Sequence, residues 1–233
     1  MIAGLERPRQ SLRSLKRTLD LLLGKRLKLF ATADVVVVLW TLLSMMLDTE
    51  AEPQDMYRQV VLLPLLILGL PALAGLVEVE RRAGCLDLAL SAPAVERYFL
   101  RRAAAVSALM ALQGSVLILL TWFQEDRWFP ILSCLTQVLV VSVFLGALAL
   151  FWAVRLKSAG GVWLASVATT IALQRWFFHN PVPHRHFGVH ESFLPREEAL
   201  IEWIVSVAVL GAATVLLYFY ARRRLRRPET MIA

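Results

Sequence analysis

Ile131-Leu-Ser-Cys-Leu-Thr-Gln-Val-Leu-Val-Val-Ser-Val-Phe-Leu-Gly-Ala-Leu-Ala-Leu-Phe-Trp-Ala-Val154 runs for 24 residues without one charged side chain and is closed by Arg155 and Lys157. As a helix it would rise about 36 Å, whereas crossing a hydrocarbon core of about 30 Å takes roughly 20 apolar residues. It reads as a membrane span. Working outward, five more runs pass the same test: 27–47, 58–77, 103–123, 159–178 and 200–220. Together the six use 127 of the 233 residues, which leaves no soluble domain of useful size. With 58% hydrophobic residues, 18% charged and a mean hydropathy of +0.61, the chain is far more apolar than a soluble domain of its length. The expected fold is all-α, a polytopic bundle of six transmembrane helices.

Charge sets the orientation. With both termini in the cytoplasm, 20 of the 25 Lys and Arg fall in 1–28, loop 78–102, turn 155–158 and tail 221–233. The other five, Arg58, Arg127, Arg175, Arg185 and Arg196, lie in or beside outer loops, in keeping with the positive-inside rule. The net charge of +7 and pI near 10.0 therefore mark attraction to anionic lipid at span ends rather than to nucleic acid. The first apolar run follows a basic segment without a small-residue cleavage site, so it is expected to stay in the mature protein. Cys85 on the inner side and Cys134 near the outer end of its span are too far apart for an intramolecular disulfide.

Residues 1–26 form a cytoplasmic segment. Leu12, Leu15, Leu19, Leu22 and Leu23 recur three or four apart between Arg13, Lys16, Arg17, Lys25 and Arg26, the pattern of an amphipathic helix on the inner leaflet. Loop 48–57 is short and acidic, as befits an outer turn. Pro64, Gly69, Pro71 and Gly75 interrupt the second span and predict a kink. Trp122, Trp128 and Phe129 flank the next outer turn as an interface belt. Gly160 and Gly161 at the base of the fifth span would admit a close helix neighbour. The tail Arg222-Arg-Arg-Leu-Arg-Arg227 reads as the stop that pins the last helix inside.

Between the second and third spans lies Glu80-Arg-Arg-Ala-Gly-Cys-Leu-Asp-Leu-Ala-Leu-Ser-Ala-Pro93. Glu80, Arg81, Arg82 and Asp87 stay wet, while Leu86 and Leu90 share one face at a spacing of four. Gly84 lets the chain turn and Pro93 ends the helix. The product is a short cytoplasmic helix with a small apolar ridge and charged flanks, suited to docking a partner protein.

This segment resembles that of ABC-2-type transporter permeases, where a Glu-Arg-Glu-x-Gly-Thr-Leu-Glu-x-Leu-x-x-Thr-Pro-like run follows the second transmembrane helix. Glu80, Arg81, Gly84, Leu86, Asp87, Leu90 and Pro93 fall on that pattern, and Cys85, Ala89 and Ala92 depart from it. The resemblance implies that 80–93 is a coupling helix seated in a groove of a separate ATP-binding cassette ATPase. ATP and Mg would then be held by that partner, with no cofactor bound by this chain. It further implies a dimer of permease subunits, with first and fifth spans at the contact, in a bacterial cytoplasmic (inner) membrane. The short outer loops favour export of a hydrophobic or amphiphilic substrate over a captured solute.

Polar residues within the spans are the candidates for a pathway or gate: Asp34, Gln113 and Gln137, together with Arg175 and Glu202 at the two ends of outer loop 179–199. Asp34 lies near enough to the inner surface to pair with Lys28, Arg155 or Lys157. The outer loop holds all four histidines, His179, His184, His186 and His190. Imidazoles suit zinc, copper or haem iron, but the spacings match no closed zinc motif, and the prolines favour a structured gate without metal. Length, six spans and this loop also resemble the haem-exporter permease of cytochrome c maturation, the alternative reading, beside a metal-handling membrane protein. There is no Gly-x-x-x-x-Gly-Lys, His-Glu-x-x-His or Gly-x-Ser-x-Gly, so the chain is not expected to be catalytic by itself.

Overall fold

A computed structural model describes residues 35, 36, 39, 40, 43, 65, 69–75, 77, 95–124, 131–156, 158–179 and 197–226. The helices are α1 (Leu70–Ala74), α2 (Val95–Gln124), α3 (Ile131–Ala153), α4 (Ala159–His179) and α5 (Glu197–Leu225). No strand occurs among the described residues, so the chain is all-helical there. Two stretches, Val95–Leu120 and Cys134–Ala153, are long and apolar enough to cross a membrane. The N-terminal segment, segment 80–93 and most of the first two expected spans lie outside the described residues.

The central element is α3, which packs against all four of the others. Its sequence explains this position, because a helix that is apolar on every side gains nothing from contact with water. Phe144 through Leu150 are buried without a break. α2 and α5 pack on α3 and touch each other, and α1 and α4 do likewise. α2 buries one stripe, Val95, Phe99, Ala103, Val106, Met110 and Leu117, at steps of three, four or seven residues that keep the stripe on one helical face.

Two glycine-lined approaches fix the packing distances. A Cβ built on Gly146 of α3 would fall on Ser107 Oγ of α2, with Ser107 Cβ 3.4 Å away. One turn further along α2, a Cβ on Gly69 would lie 2.7 Å from Met110 Sδ. Between helices in hydrocarbon, association rests on such van der Waals contact and on interhelical hydrogen bonds rather than on release of water. Gly69 and Pro71 thus serve static packing at the start of α1.

Three boundaries differ from the reading of hydropathy alone. α2 begins at Val95, about 12 Å of helix before the third apolar run at 103, because the buried stripe reaches back to Val95 and Phe99. α5 begins at Glu197 and continues to Leu225, since Ala221 and Leu225 are fully buried. Among the described residues, no other helix comes close to Gly160 or Gly161 at the base of α4. Gly160 has nothing within 4 Å, and Gly161 meets its own turn, Ser158 Oγ and Leu156. Ser158 Oγ accepts the Gly161 N–H at 3.1 Å, capping the new helix.

The surface inverts the order of a water-soluble protein. Leu132 is 78% exposed, Leu216 70% and Leu112 62%, while Gln137, Ser142 and Ser166 are fully buried. Apolar groups outward and hydrogen-bonding groups inward is the distribution that hydrocarbon surroundings require.

Gly146→Val is expected to force α2 off α3 and to cost about 1–3 kcal/mol, the usual range for overpacking. Thermal unfolding of the purified protein in detergent measures it, with Gly160→Ala as the neutral comparison; equal midpoints for the two variants would refute the close-contact account.

Candidate functional site

The most developed polar constellation lies where the start of α2, the α3–α4 turn and the end of α5 meet. Glu96, in the first turn of α2, is the only carboxylate of that helix and stands among Arg97, Arg101 and Arg102. Arg222 and Arg226 are four residues apart and therefore share one face of α5. Both converge on Glu96. Arg222 donates from Nε to Oε2 at 3.1 Å and from Nη2 to Oε1 at 3.3 Å. Arg226 does the same at 2.7 and 3.2 Å.

Paired fork geometry of this kind makes strong, orientation-specific hydrogen bonds. It also suits the helix dipoles, with an acid at the N-terminus of α2 and cations in the last turns of α5. The Glu96 side chain is only 18% exposed. The two guanidinium groups pull its carboxyl down from 4.5 to about 2, and the carboxylate raises Arg226 in return.

A second cluster stands beside it. Arg155 donates from Nε and Nη2 to Tyr220 Oη at 3.1 and 2.5 Å. Its Cζ sits 4.7 Å from the Phe151 ring centroid and 4.8 Å from that of Tyr220, within cation–π range of both. Arg224 approaches the same Tyr220 ring at 5.9 Å. Deeper in, Arg102 is buried against Tyr98, 5.0 Å from its centroid.

The interior between the helices is polar in places. Trp152 Nε1 donates to Thr169 Oγ1 at 3.2 Å, linking α3 to α4. Thr170 donates back to the Ser166 carbonyl at 2.8 Å, as Thr169 does to Ala165 at 2.6 Å. The buried hydroxyls of Ser142 and Ser166 meet no hydrogen-bond partner among the described residues.

The sequence-derived candidates distribute unevenly. Gln137 is fully buried on α3 and Gln113 half-buried on α2. Arg175 lies near the end of α4 and Glu202 in the second turn of α5; their side chains lie outside what is described. His179 closes α4. Asp34, the coupling residues Glu80, Arg81, Gly84, Leu86, Asp87, Leu90 and Pro93, and His184, His186 and His190 fall outside the described residues. Arg155, named above with Lys28 and Lys157 as a partner for Asp34, makes its described hydrogen bonds to Tyr220.

Sequence reasoning missed the Glu96 cluster, and it took Arg222 and Arg226 for a topogenic stop with no further role. The available signals were a lone acid inside an arginine-rich first turn and an Arg pair at a spacing of four. Neither names the other across 126 residues of chain. No family model matches this chain, and no curated protein or solved structure matches it significantly.

The cluster ties the residue three places after Pro93 to the end of the chain's last helix. Glu96→Gln is expected to lower the thermal midpoint above pH 5 and to raise its sensitivity to salt. A carboxyl depressed from 4.5 to about 2 contributes stability that is complete above the unfolded value and is lost as pH falls through the folded one. The wild-type advantage should therefore be constant from pH 5 to 8 and shrink below about 4.5. Midpoints of both proteins across that range check it, and an advantage that persists unchanged to pH 2 would rule out the ion pair as its source.

Proposed function

We propose that this chain is the permease subunit of an ABC-2-type, ATP-driven transporter, working as a dimer with two separate ATPase chains in a bacterial cytoplasmic membrane. One subunit crosses the bilayer six times with both termini inside. The reading rests on the run 80–93, which carries the docking pattern and opens, after Ala94 alone, into α2.

The geometry next to that run supports the proposal. A helix pushed by an ATPase has to pass its motion to the bundle. Here the first turn of α2 is gripped by Arg222 and Arg226, and α2 packs along α3. Displacement of 80–93 would carry α2 and α5 together around the central helix. The outward stripe of Gly160, Leu164, Ala168 and Ile171 on α4 offers a second subunit a smooth apolar face. The interior residues Gln113, Gln137 and Ser142 offer an amphiphilic substrate intermittent polar contacts. Export follows from the short outer loops and the inner position of the docking segment. ATP hydrolysis belongs to the partner.

Co-expression with a candidate ATP-binding cassette ATPase, followed by purification in nanodiscs, tests the reading through subunit stoichiometry. Wild type should form a two-plus-two assembly. Leu90→Asp places a charge in the apolar ridge and should weaken ATPase association about tenfold or more, with membrane insertion intact. Association of the variant at wild-type strength would sink the proposal.

A further inference from the structure

We infer that the α3–α4 turn and the last turns of α5 form a binding site for one anionic phospholipid, its phosphate held by Arg155, Tyr220 and Arg224. The inference needs the bundle to sit in a bilayer and is independent of the transporter reading.

Arg155 is exposed yet held in place. Its guanidinium packs beside two aromatic rings that touch each other, Phe151 and Tyr220, and Nε and Nη2 are committed to Tyr220 Oη. A guanidinium carries five N–H donors, so the remaining ones point to an acceptor that the described residues do not supply. Tyr220 Oη accepts from Arg155, which leaves its own O–H to donate. Arg224 adds a second cation over the same ring. Two cations and a hydroxyl donor therefore stand together, each pre-ordered for an anion with several acceptor oxygens.

Among the described residues, basic charge predominates at this end. The described residues there include Arg97, Arg101, Arg102, Arg155, Arg222, Arg223, Arg224 and Arg226, against the single carboxylate of Glu96. That carboxylate is taken by Arg222 and Arg226. The other described acids, Glu197, Glu198 and Glu202, are in the first two turns of α5, at its opposite end.

Depth and shape select a lipid over a free anion. Arg155 is the first charge after the apolar run of α3, and Tyr220 is the last aromatic before the arginines of α5. Both therefore stand where hydrocarbon gives way to head groups, the level that amphipathic aromatic rings favour. Arg224, Tyr220 and Leu216 follow one another at steps of four on one face of α5. Leu216 is 70% exposed, and Val209 two turns further along the same face is 42% exposed. A phosphate at Arg155 and Arg224 thus continues into an apolar track of the length and polarity that an acyl chain needs. Basic sites at the inner ends of membrane helices recognise acidic head groups in this manner.

The test uses the full chain in detergent, titrated with phosphatidylglycerol and, separately, with phosphatidylcholine or inorganic phosphate. Retained lipid is counted by native mass spectrometry and the thermal midpoint is followed. Wild type should retain phosphatidylglycerol in preference to phosphatidylcholine and gain thermal stability from it. Arg155→Ala with Arg224→Ala should weaken retention roughly thirtyfold, at about fivefold per arginine. Tyr220→Phe keeps the ring stack and should weaken it about fivefold through loss of one hydrogen bond; it carries the test if the double variant does not fold. Arg97→Ala with Arg101→Ala should keep wild-type retention. Equal retention of the two lipids, an equal loss in the Arg97/Arg101 pair, or displacement of the lipid by millimolar inorganic phosphate would each overturn the site.

Discussion

The packing of α2 onto α3 at Ser107 and Gly146 is the contact on which the remaining arrangement depends. α3 carries no charge and touches every other described helix, so its distance from α2 sets where all of them sit. In hydrocarbon, two helices are held by dispersion at short range, and dispersion falls steeply with separation. The absence of a side chain at Gly146 lets the two backbones come together. Gly69 under Met110 repeats the device one turn further along α2. Small residues at these crossings thus do what a large hydrophobic core does in water.

The same surroundings explain where polarity is found. Fully buried Gln137, Ser142 and Ser166, beside leucines exposed by 60% or more at 112, 132, 164 and 216, make sense when the outside medium offers no hydrogen bonds. Threonines 169, 170 and 214 meet this demand locally by donating to the carbonyl four residues back, which a helix tolerates with slight bending. Trp152 to Thr169 satisfies it between helices.

At the arginine-bearing end, charge takes over from packing. One carboxylate organises two arginines, and two aromatic rings organise a third. The first arrangement ties the start of α2 to the end of α5. The second holds Arg155 against Phe151 and Tyr220. Both depend on residues whose individual worth in water is small, because exposed ion pairs are screened and flexible. Their worth here comes from fork geometry, neighbouring helix ends and partial burial of Glu96.

Much of the architecture is legible in the amino-acid sequence by itself. A long uncharged run bounded by Arg155 and Lys157 identifies α3 and its length, since hydrophobicity and helical rise are properties of local sequence. The helical character of 95–124, 159–179 and 197–225 is legible for the same reason, to within the extra turns at their ends. Those turns escape hydropathy because it registers lipid contact, whereas the helices continue wherever one face is buried by protein. The grip of Arg222 and Arg226 on Glu96 and the stack of Arg155 on Tyr220 were decided by tertiary structure alone. Partners 65 to 130 residues apart meet only because helices pack side by side, and a linear sequence does not record which helix ends will be neighbours.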